Sequence, residues 1–462
     1  MIPDGRFFAL PSRDQCQISF LSLRQAVADD PELLAFDAAV DQLDFAKLEA
    51  RYGQVGHPAF APRLMFKVMV YGYCHGLRSS RQLDRACRHD DAFRFLAHGL
   101  QPDFRTLCRF RRNHGADFAG LFEQTVTRCQ AAGLVSLGNV AIDGTKMRAN
   151  RSKERLAQLQ AEFRQALAEA EVADGDLPAE AEAAPAAVRP EVAEEAAFMK
   201  SNEGIVPAYN GQLAVDADHQ IIVAQQVRTE PGDQGLLGPL AQQVEDNCGQ
   251  TPQATSADGG YLTEADIEQL DTSGTQLHLP RRASGAADLE WVEAEGAYRC
   301  PAGKWLRPCR VRKGKQIYRT NRCRGCPQAE ACGVKGKTKE VHVPLAETAR
   351  GRLERRMASE AGQVTYAARK QIVEPVFGRF KHNWGWRRFL LRGKSGAQAE
   401  WSLGCAGHNL RKLIQADAPA GDRSAESQKR TAPRPQPQLV FRVLRQHFRM
   451  SYCEHPRRVS AT

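Results

Sequence analysis

The chain has 462 residues, of which 42% are hydrophobic and 26% are charged, a composition that excludes a largely disordered polypeptide. Its 64 Lys and Arg residues outnumber its 54 Asp and Glu residues, and the net charge of +10 favours a polyanionic partner such as nucleic acid. No apolar run approaches the roughly 18 residues of a membrane span, and the segment after Met1 lacks the apolar core of a signal peptide, so we expect a soluble cytoplasmic protein without membrane contact.

The segment from 58 to 133 predicts short helices. Ser79 begins a capping-box pattern, and Asp103 can cap a helix over 104–113. Three arginines share one face of that helix, namely Arg105, Arg109 and Arg112. This basic stripe suits contacts with DNA phosphates, but the segment by itself is equally compatible with a solvated surface. A further helix is predicted over 117–132.

The segment after residue 136 predicts a mixed α/β sheet. Strands are expected over 139–142, 212–215, 221–227, 253–257 and 276–279, with one helix over 233–245 and another capped by Thr263. The first three strands can pair antiparallel, and each of the last two follows a helix. This order is typical of a mixed α/β fold.

The charges of the chain are grouped in blocks. Residues 51–115 hold 12 Lys and Arg against 4 acids, and residues 299–339 hold 13 against 1. Residues 153–200 have the opposite balance, with 11 acids against 5 bases. The two basic blocks are therefore the segments in which we expect contact with nucleic acid.

These blocks and the predicted elements suggest a domain organisation. We expect a helical DNA-binding domain over 1–135, a catalytic core over 136–415, and a disordered linker with a basic tail over 416–462. Two insertions interrupt the core. One is acidic and helical (153–203), and the other is Cys-rich and resembles a zinc ribbon (296–340).

Three carboxylates have the context of a catalytic site. Asp143 and Asp258 each follow a short apolar strand and precede a glycine, and side chains at strand ends of open α/β sheets face the ligand crevice. Glu374 lies on a predicted helix with Lys370 four residues before it and Lys381 seven after it. Phosphodiester cleavage or transfer uses two Mg²⁺ ions about 3.5–4 Å apart, which need about three carboxylates. Taken singly, each Asp is also compatible with a turn role and Glu374 with a solvated position.

Five of the 13 cysteines lie close together, between Cys300 and Cys332. Cys323 and Cys326 have the spacing of a metal knuckle, and four thiolates around one Zn²⁺ would stabilise a small insertion with little apolar content. The predicted ligands are Cys300, Cys323, Cys326 and Cys332, and Cys309 is left over. The alternative is a basic loop with reduced, unligated cysteines.

Seven stretches of the sequence occur together in an order that resembles a known family. They are HPAFAPRLMFKVMVYGYCHGLRSSRQL, PDFRTLCRFRRNH, AIDGTKMRANRSK, AYNGQLAVD, SADGGYLTE, YAARKQIVEPVFGRFKHNWGWRRFLLRG and AEWSLGCAGHNLRKL, and together they cover roughly residues 20 to 415. On these stretches the chain resembles the DDE transposases of bacterial insertion sequences, specifically the insertion sequence 1182 group and its relatives.

The resemblance implies an RNase H-like catalytic core, an N-terminal helical DNA-binding region, and cutting and joining of the element's ends that depends on Mg²⁺ or Mn²⁺. It implies that Asp143, Asp258 and Glu374 are catalytic and bind this metal. It also implies double-stranded DNA as the partner, both terminal inverted repeats and target DNA, bound by a homodimer or larger assembly associated with the nucleoid. Relatives carry a similar Cys-rich insertion, which is in keeping with a structural Zn²⁺.

Further basic and aromatic residues follow from the same resemblance. The DNA-binding positions that match are Tyr366, Arg369 and Lys381. In many relatives the Arg precedes the Glu by four positions, whereas here Arg369 precedes it by five and Lys370 by four. Both therefore remain candidates for the phosphate contact.

Some alternatives remain open at this point. A hairpin-turn role is favoured for Asp216 over an approach to the metals, and core packing is favoured for Trp384 and Trp386 over stacking on a base. At the level of function, the alternatives are a domesticated DNA-binding protein without catalysis and a metal-dependent nuclease without strand transfer. The presence of all three acids favours the transposase.

Overall fold

The computed structural model describes residues 22–52, 58–150, 196–201, 204–280, 289–329, 332, 334 and 336–417. Met1–Leu413 belong to one compact unit and Ile414–Thr462 to a second. Most of the predicted acidic insertion and the predicted tail beyond residue 417 lie outside the described residues. Within the described ranges, no helix is long and apolar enough to cross a membrane.

The described chain before residue 135 is helical, as its periodicity predicts. The helices are α1 (Leu23–Ala26), α2 (Pro31–Asp41), α3 (Ala46–Glu49), α4 (Pro62–Cys74), α5 (Ser80–His89), α6 (Asp91–Leu96), α7 (Phe104–Asn113) and α8 (Asp117–Ala131). Helix α4 is buried along nearly its whole length. Its Lys67 is only 2% exposed and is paired with Asp37 and Asp41. A buried ammonium of this kind needs such partners.

The predicted helix starts are confirmed. Ser79 forms the capping box with Gln82 at the start of α5. Asp103 accepts the N–H of Thr106 at 2.7 Å and begins α7, and Thr263 accepts the N–H of Asp266 at 3.1 Å in the same way. These caps satisfy backbone donors that a helix leaves free at its N-terminus.

The main sheet is mixed, as predicted. Its strands are β1 (Asn139–Arg148), β2 (Ala197–Ser201), β3 (Gly204–Asp216), β4 (Ile222–Arg228), β5 (Ala254–Ser256) and β6 (Gln276–His278). The order is β2-β3-β1-β5-β6, with β4 paired to β3. Strand β3 is antiparallel to β1, β2 and β4, whereas β5 is parallel to β1 and β6. Helices α9 (Leu237–Cys248) and α10 (Glu264–Thr272) alternate with β5 and β6.

Strand β1 is longer than predicted, and this corrects the position of Asp143. The strand continues past Ile142 to Arg148 because residues 140–148 pair without interruption with β3. Asp143 therefore lies within the strand rather than at its end. The pairing of β1 with the parallel strand β5 stops at Ala141 opposite Ser256, so Asp143 lies just beyond the point where this neighbour ends.

The Cys-rich segment forms a second, antiparallel sheet. Its strands are β7 (Glu290–Val292), β8 (Ala297–Arg299), β9 (Trp305–Arg312), β10 (Lys315–Thr320) and β11 (Lys339–Pro344), in the order β11-β10-β9-β8-β7. Few apolar side chains are buried in the described part of this segment, namely Ala297, Leu306, Ile317, Cys323 and Val341. A sheet with so small a core needs a further source of stability.

Helices complete the described chain. They are α11 (Ala349–Ala358), α12 (Glu360–Gly378), a π-helical turn (Arg379–Asn383) and α13 (Gly393–Asp417). Trp384 and Trp386 are 3% and 0% exposed, and both pack on Phe380, with ring centroids 4.9 and 5.2 Å away. The prediction that these two tryptophans are core residues is therefore confirmed.

Candidate active site

Asp143 lies in a half-buried position on β1 and has two hydrogen-bonding partners. Its Oδ2 accepts a hydrogen bond from Arg369 at 2.8 Å, and its Oδ1 accepts the N–H of Gly144 at 2.8 Å. Burial raises the pKa of Asp143, and the negative charge of Asp258 acts in the same direction, whereas Arg369 opposes them. The two carboxylates are therefore close enough to repel each other, and a cation placed between them would relieve that repulsion.

Asp258 directly follows β5 and begins the 3₁₀ turn Gly259–Tyr261. Its Oδ1 accepts the N–H of Gly260 at 2.6 Å. The turn role that the sequence allowed for this residue is thus present. It also fixes the carboxylate next to the end of the strand that adjoins Asp143.

Helix α12 supplies the cation that pairs with Asp143. Arg369 is 8% exposed and its guanidinium lies 5.9 Å from the centre of the Tyr366 ring. Lys370, one position later, is exposed. Of the two candidates that the sequence left open, Arg369 contacts the acidic site, and Lys370 remains accessible from solvent.

Glu374 lies on the same helix but is exposed. The next residue is Pro375, which has no N–H to donate to the carbonyl of Gln371, and the Gln220 side chain donates to that carbonyl instead at 3.1 Å. Among the described residues, no group of three or more His, Cys, Asp or Glu side chains is arranged to hold a metal ion. The structure thus brings Asp143 and Asp258 together, but it does not gather all three predicted acids into one cluster.

Lys381 belongs to the π-helical turn that follows α12. Burial lowers the pKa of its ammonium, and the carboxylate of Asp143 opposes this shift. Lys381 is therefore within electrostatic reach of Asp143. Together with Arg369, it supplies positive charge on the side of the site formed by α12 and its C-terminal turn.

A polar network beside the two aspartates was missed from the sequence. Asp233, predicted at the start of a helix, lies instead in the loop before α9, and its Oδ1 accepts hydrogen bonds from Asn210 at 2.7 Å and Gln212 at 2.8 Å. The Tyr261 hydroxyl donates to Gln212 Oε1. Asn210 and Gln212 alternate within residues 207–215 of β3, which are buried throughout and otherwise apolar, and this polar pair is the signal that could have revealed the network.

Gly144 shows how closely this network approaches Asp143. A Cβ atom at this position would overlap Gln212 Nε2 and lie 2.8 Å from Asn210 Oδ1. A residue with a side chain would therefore displace the amides. The glycine after Asp143 is required by this close approach.

Four cysteines of the second sheet interact electrostatically, although the described residues do not bring them into a group arranged to hold a metal ion. Cys323 is 8% exposed, and burial raises its pKa, with the neighbouring thiols of Cys300, Cys326 and Cys332 acting in the same direction. The N–H of Lys304 lies 3.3 Å from Cys300 Sγ. Cys309 is exposed on β9. The other four are the predicted zinc ligands, and their role stays a prediction.

The basic stripe of α7 lies on the surface. Three arginines of this helix are exposed, namely Arg105, Arg109 and Arg112, whereas Arg111 between them is buried. In the part of the chain that the structure describes, no carboxylate forms an ion pair with any of the three. Their charge is therefore available to a polyanion.

Asp216 has a structural role, as predicted. The side chain is fully buried, and its Oδ2 accepts the N–H of Leu137 at 2.9 Å while its Oδ1 accepts that of Asp218 at 3.2 Å. These bonds hold the β3–β4 hairpin against the start of β1. None of its hydrogen bonds involves a residue of the candidate site.

Comparison with known proteins gives two family matches. Residues 21–113 match a family described as "Transposase domain (DUF772)", and residues 299–414 match one described as "Transposase DDE domain". The second match contains Glu374 and the Cys-rich sheet, and Asp143 and Asp258 lie between the two matches. No curated protein matches the chain.

One solved structure shows only a weak similarity. It is titled "Crystal structure of a pre-cleavage Mos1 transpososome", is 11% identical, covers 75% of this chain and 88% of its own, and has a TM-score of 0.16. That score is too low to indicate a shared fold. The similarity to transposases depends on the two domain matches. Separate N-terminal and C-terminal segments of one chain match transposase domains, and the C-terminal one is of the DDE type.

Proposed function

We propose that this chain is a DDE transposase of an insertion sequence, an active enzyme that cleaves DNA strands at the ends of its own element and joins them to target DNA. The observation that carries the proposal is the pair of neighbouring aspartates, Asp143 and Asp258, beside two cations from α12 and its C-terminal turn. The parallel and antiparallel pairing around β1 supports an RNase H-like core as the framework of this site.

The donor chemistry of the two aspartates suits a divalent cation such as Mg²⁺ or Mn²⁺, because these ions prefer carboxylate oxygens. When bound, such ions activate the attacking hydroxyl and stabilise the leaving oxygen of the phosphodiester. Asp143 and Asp258 each lie two residues beyond the last paired residues of the parallel strands β1 and β5, Ala141 and Ser256, and this placement of two carboxylates at one edge of the sheet fits a cation here. Glu374 is proposed as the third acid, on the strength of its place in α12 and in the matched DDE domain.

The surrounding residues have separable tasks in this proposal. Arg369 holds one oxygen of Asp143 and so orients the carboxylate. Lys381, within reach of the same carboxylate, and the exposed Lys370 bind phosphates of the DNA strand. Tyr366 packs against Arg369 and supports its position.

A direct test uses the wild-type chain with labelled duplexes that carry the DNA flanking its gene, a target plasmid, and Mg²⁺ or Mn²⁺. Products in which a labelled end is joined to the plasmid would support the proposal. Cleavage without joining would favour the nuclease, and binding without cleavage would favour the non-catalytic DNA-binding protein. EDTA is the control for dependence on the metal.

The exposed arginine stripe of α7 is proposed as a DNA-binding surface. In the triple variant Arg105→Gln, Arg109→Gln and Arg112→Gln, we expect weaker duplex binding and a smaller slope of log K against log salt, by about 0.9 for each phosphate that is no longer neutralised. Fluorescence anisotropy at several KCl concentrations measures both. A matched triple, Arg94→Gln, Arg228→Gln and Arg352→Gln, removes the same charge from residues that already pair with acids. Equal changes in the two triples would argue against specific DNA binding by α7.

The second sheet is proposed to hold one structural Zn²⁺ through Cys300, Cys323, Cys326 and Cys332. Cys323 and Cys326 flank a turn in which the N–H of Cys326 donates to the Cys323 carbonyl at 3.1 Å, and Gly325 has a φ of +68°. Such a turn presents two thiols to one side. A zinc ion would supply the stability that the small apolar core of this sheet does not provide.

Zinc content provides the test. We expect about one zinc per wild-type chain, and loss of most of it in the double variant Cys323→Ser, Cys326→Ser, because a tetrahedral site needs all four ligands. Mass spectrometry of the metal in the purified full chain measures it. Cys309→Ser is the matched control, since Cys309 is exposed and lies outside the proposed ligand set. Equal loss of zinc in this control would contradict the proposed ligand set.

A further inference from the structure

Asp233 links two parts of the candidate site that are distant in sequence. It lies between β4 and α9, and its Oδ1 accepts hydrogen bonds from both Asn210 and Gln212 of β3. Asn210 and Gln212 are 1% and 0% exposed, so their amides have no water to bond with instead. A single carboxylate oxygen therefore determines the orientation of two buried amides.

The orientation of Gln212 matters because an amide has different ends. Its Nε2 donates to Asp233, which leaves Oε1 to accept the hydroxyl of Tyr261. Tyr261 is 0% exposed and is the last residue of the turn that Asp258 begins. If the amide were reversed, a nitrogen donor would face the tyrosine hydroxyl and a carbonyl oxygen would face Asp233. Both hydrogen bonds would then be broken in a buried place, which is costly.

The same amides touch the segment that carries Asp143. Asn210 and Gln212 pack so closely over Gly144 that no Cβ fits there. The chain of contacts therefore runs from Asp233 through Gln212 to the neighbour of Asp143 on one side and to the Asp258 turn on the other. We infer that Asp233 is a positioning residue, which acts through Gln212 and Tyr261 to hold Asp258 at a fixed place relative to Asp143.

The positioning role of Asp233 depends on its acceptor oxygen Oδ1 rather than on its negative charge. Its other oxygen, Oδ2, and Asp258 Oδ1 lie 3.7 and 2.8 Å from the point that a Cβ on Gly260 would occupy, so a second negative charge is present near Asp258. Asn at position 233 keeps an acceptor oxygen of the same shape and removes that charge. The variant Asp233→Asn therefore separates positioning from electrostatics.

Amide hydrogen exchange of the full-length chain tests the inference without DNA or metal. We expect Asp233→Ala to speed exchange in peptides covering Ala257–Thr263 by about tenfold or more, the factor that corresponds to removing one hydrogen bond to a charged group. Asp233→Asn should retain the wild-type exchange. Tyr261→Phe removes only the hydroxyl and should reproduce the effect of alanine, even if Asp233→Ala proves poorly folded. Asp246→Ala, at an exposed acid of α9, is the control.

The expected effect on DNA cleavage rests on the proposed function, whereas the expected effect on hydrogen exchange does not. The two can therefore fail separately. If the enzyme cleaves DNA, cleavage should fall with Asp233→Ala and be retained with Asp233→Asn. Faster exchange in Asp233→Asn equal to that in Asp233→Ala would overturn the inference, and so would unchanged exchange in both Asp233→Ala and Tyr261→Phe. If the wild type does not cleave DNA but the exchange pattern is found, the positioning role stands and the proposed function fails.

Discussion

Replacing Asp143 or Asp258 by asparagine is expected to lower the rate of DNA strand cleavage by about 10³-fold or more. Loss of a metal-binding carboxylate removes several kcal/mol of transition-state stabilisation, and each ~1.4 kcal/mol corresponds to a factor of ten in rate. Asparagine keeps the shape of the side chain. Single-turnover cleavage of labelled element ends measures the rate, and anisotropy measures DNA affinity, which should stay within about threefold because the basic surfaces are untouched.

Two controls accompany the substitutions of Asp143 and Asp258. Asp246→Asn removes an exposed acid of α9 and should cleave at the wild-type rate. Asp143→Asn also removes the negative charge that pairs with Arg369, so the folded state of each variant is checked by its thermal unfolding. Cleavage within tenfold of wild type in folded Asp143→Asn would contradict a catalytic role for this residue.

Glu374→Gln tests the third proposed acid in the same cleavage assay. The residue is exposed, and in the described chain it is not part of any group of three or more acidic, His or Cys side chains arranged to hold a metal ion. If it completes the site when DNA and metal bind, Glu374→Gln should lose as much cleavage as Asp143→Asn. A Glu374→Gln variant that retains full cleavage would remove this residue from the site while leaving the two aspartates in it.

Replacing Glu400 by alanine is expected to lower the free energy of unfolding by about 3–5 kcal/mol, the cost of removing one partner from a buried ion pair. Glu400 is fully buried on α13, and its carboxylate accepts the backbone N–H groups of Leu390 and Leu391. Its Oε2 lies 3.6 Å from Arg78, whose guanidinium lies 4.6 Å from the centre of the Trp386 ring. The substitution leaves the buried Arg78 without its carboxylate, although its guanidinium still donates to the Arg388 carbonyl at 2.9 Å, and it leaves two backbone donors without their acceptor. Urea unfolding of the full chain measures the loss.

Glu268→Ala is the matched control for Glu400, because Glu268 is an exposed glutamate on α10. We expect it to change the unfolding free energy by no more than about 0.5 kcal/mol. Glu400→Gln keeps the size of the side chain and should fall between the two. A loss below about 1 kcal/mol in Glu400→Ala would show that the buried pair contributes little to stability.

Much of the local structure could be predicted because it depends on neighbours along the chain. Helix α7 has the bounds that its sequence predicts, since Asp103 caps its first turn and its apolar side chains repeat with helical spacing. Strand β4 agrees with its prediction to within one residue for a similar reason. The knuckle spacing of Cys323 and Cys326 is recognisable from the sequence alone, because it is a local pattern.

The predictions that failed depended on partners distant in sequence. The extension of β1 to Arg148 comes from its pairing with β3, and the sequence of β1 alone has a glycine and polar residues at that point. The helix after β4 begins at Leu237 rather than Asp233, because Asp233 is engaged by two side chains of β3. Local propensity contains no information about either partner.

The sequence by itself determined the order of the elements, the basic and acidic blocks, and which acids and cysteines are candidates for the chemistry. Only the tertiary structure decided that Arg369 rather than Lys370 pairs with Asp143, and that Asp258 lies close enough to raise the pKa of Asp143. It also decided the network of Asp233. The physical reason is that burial and charge interactions depend on distances across the sheet, and these exist only once β1, β3, β5 and α12 have packed together.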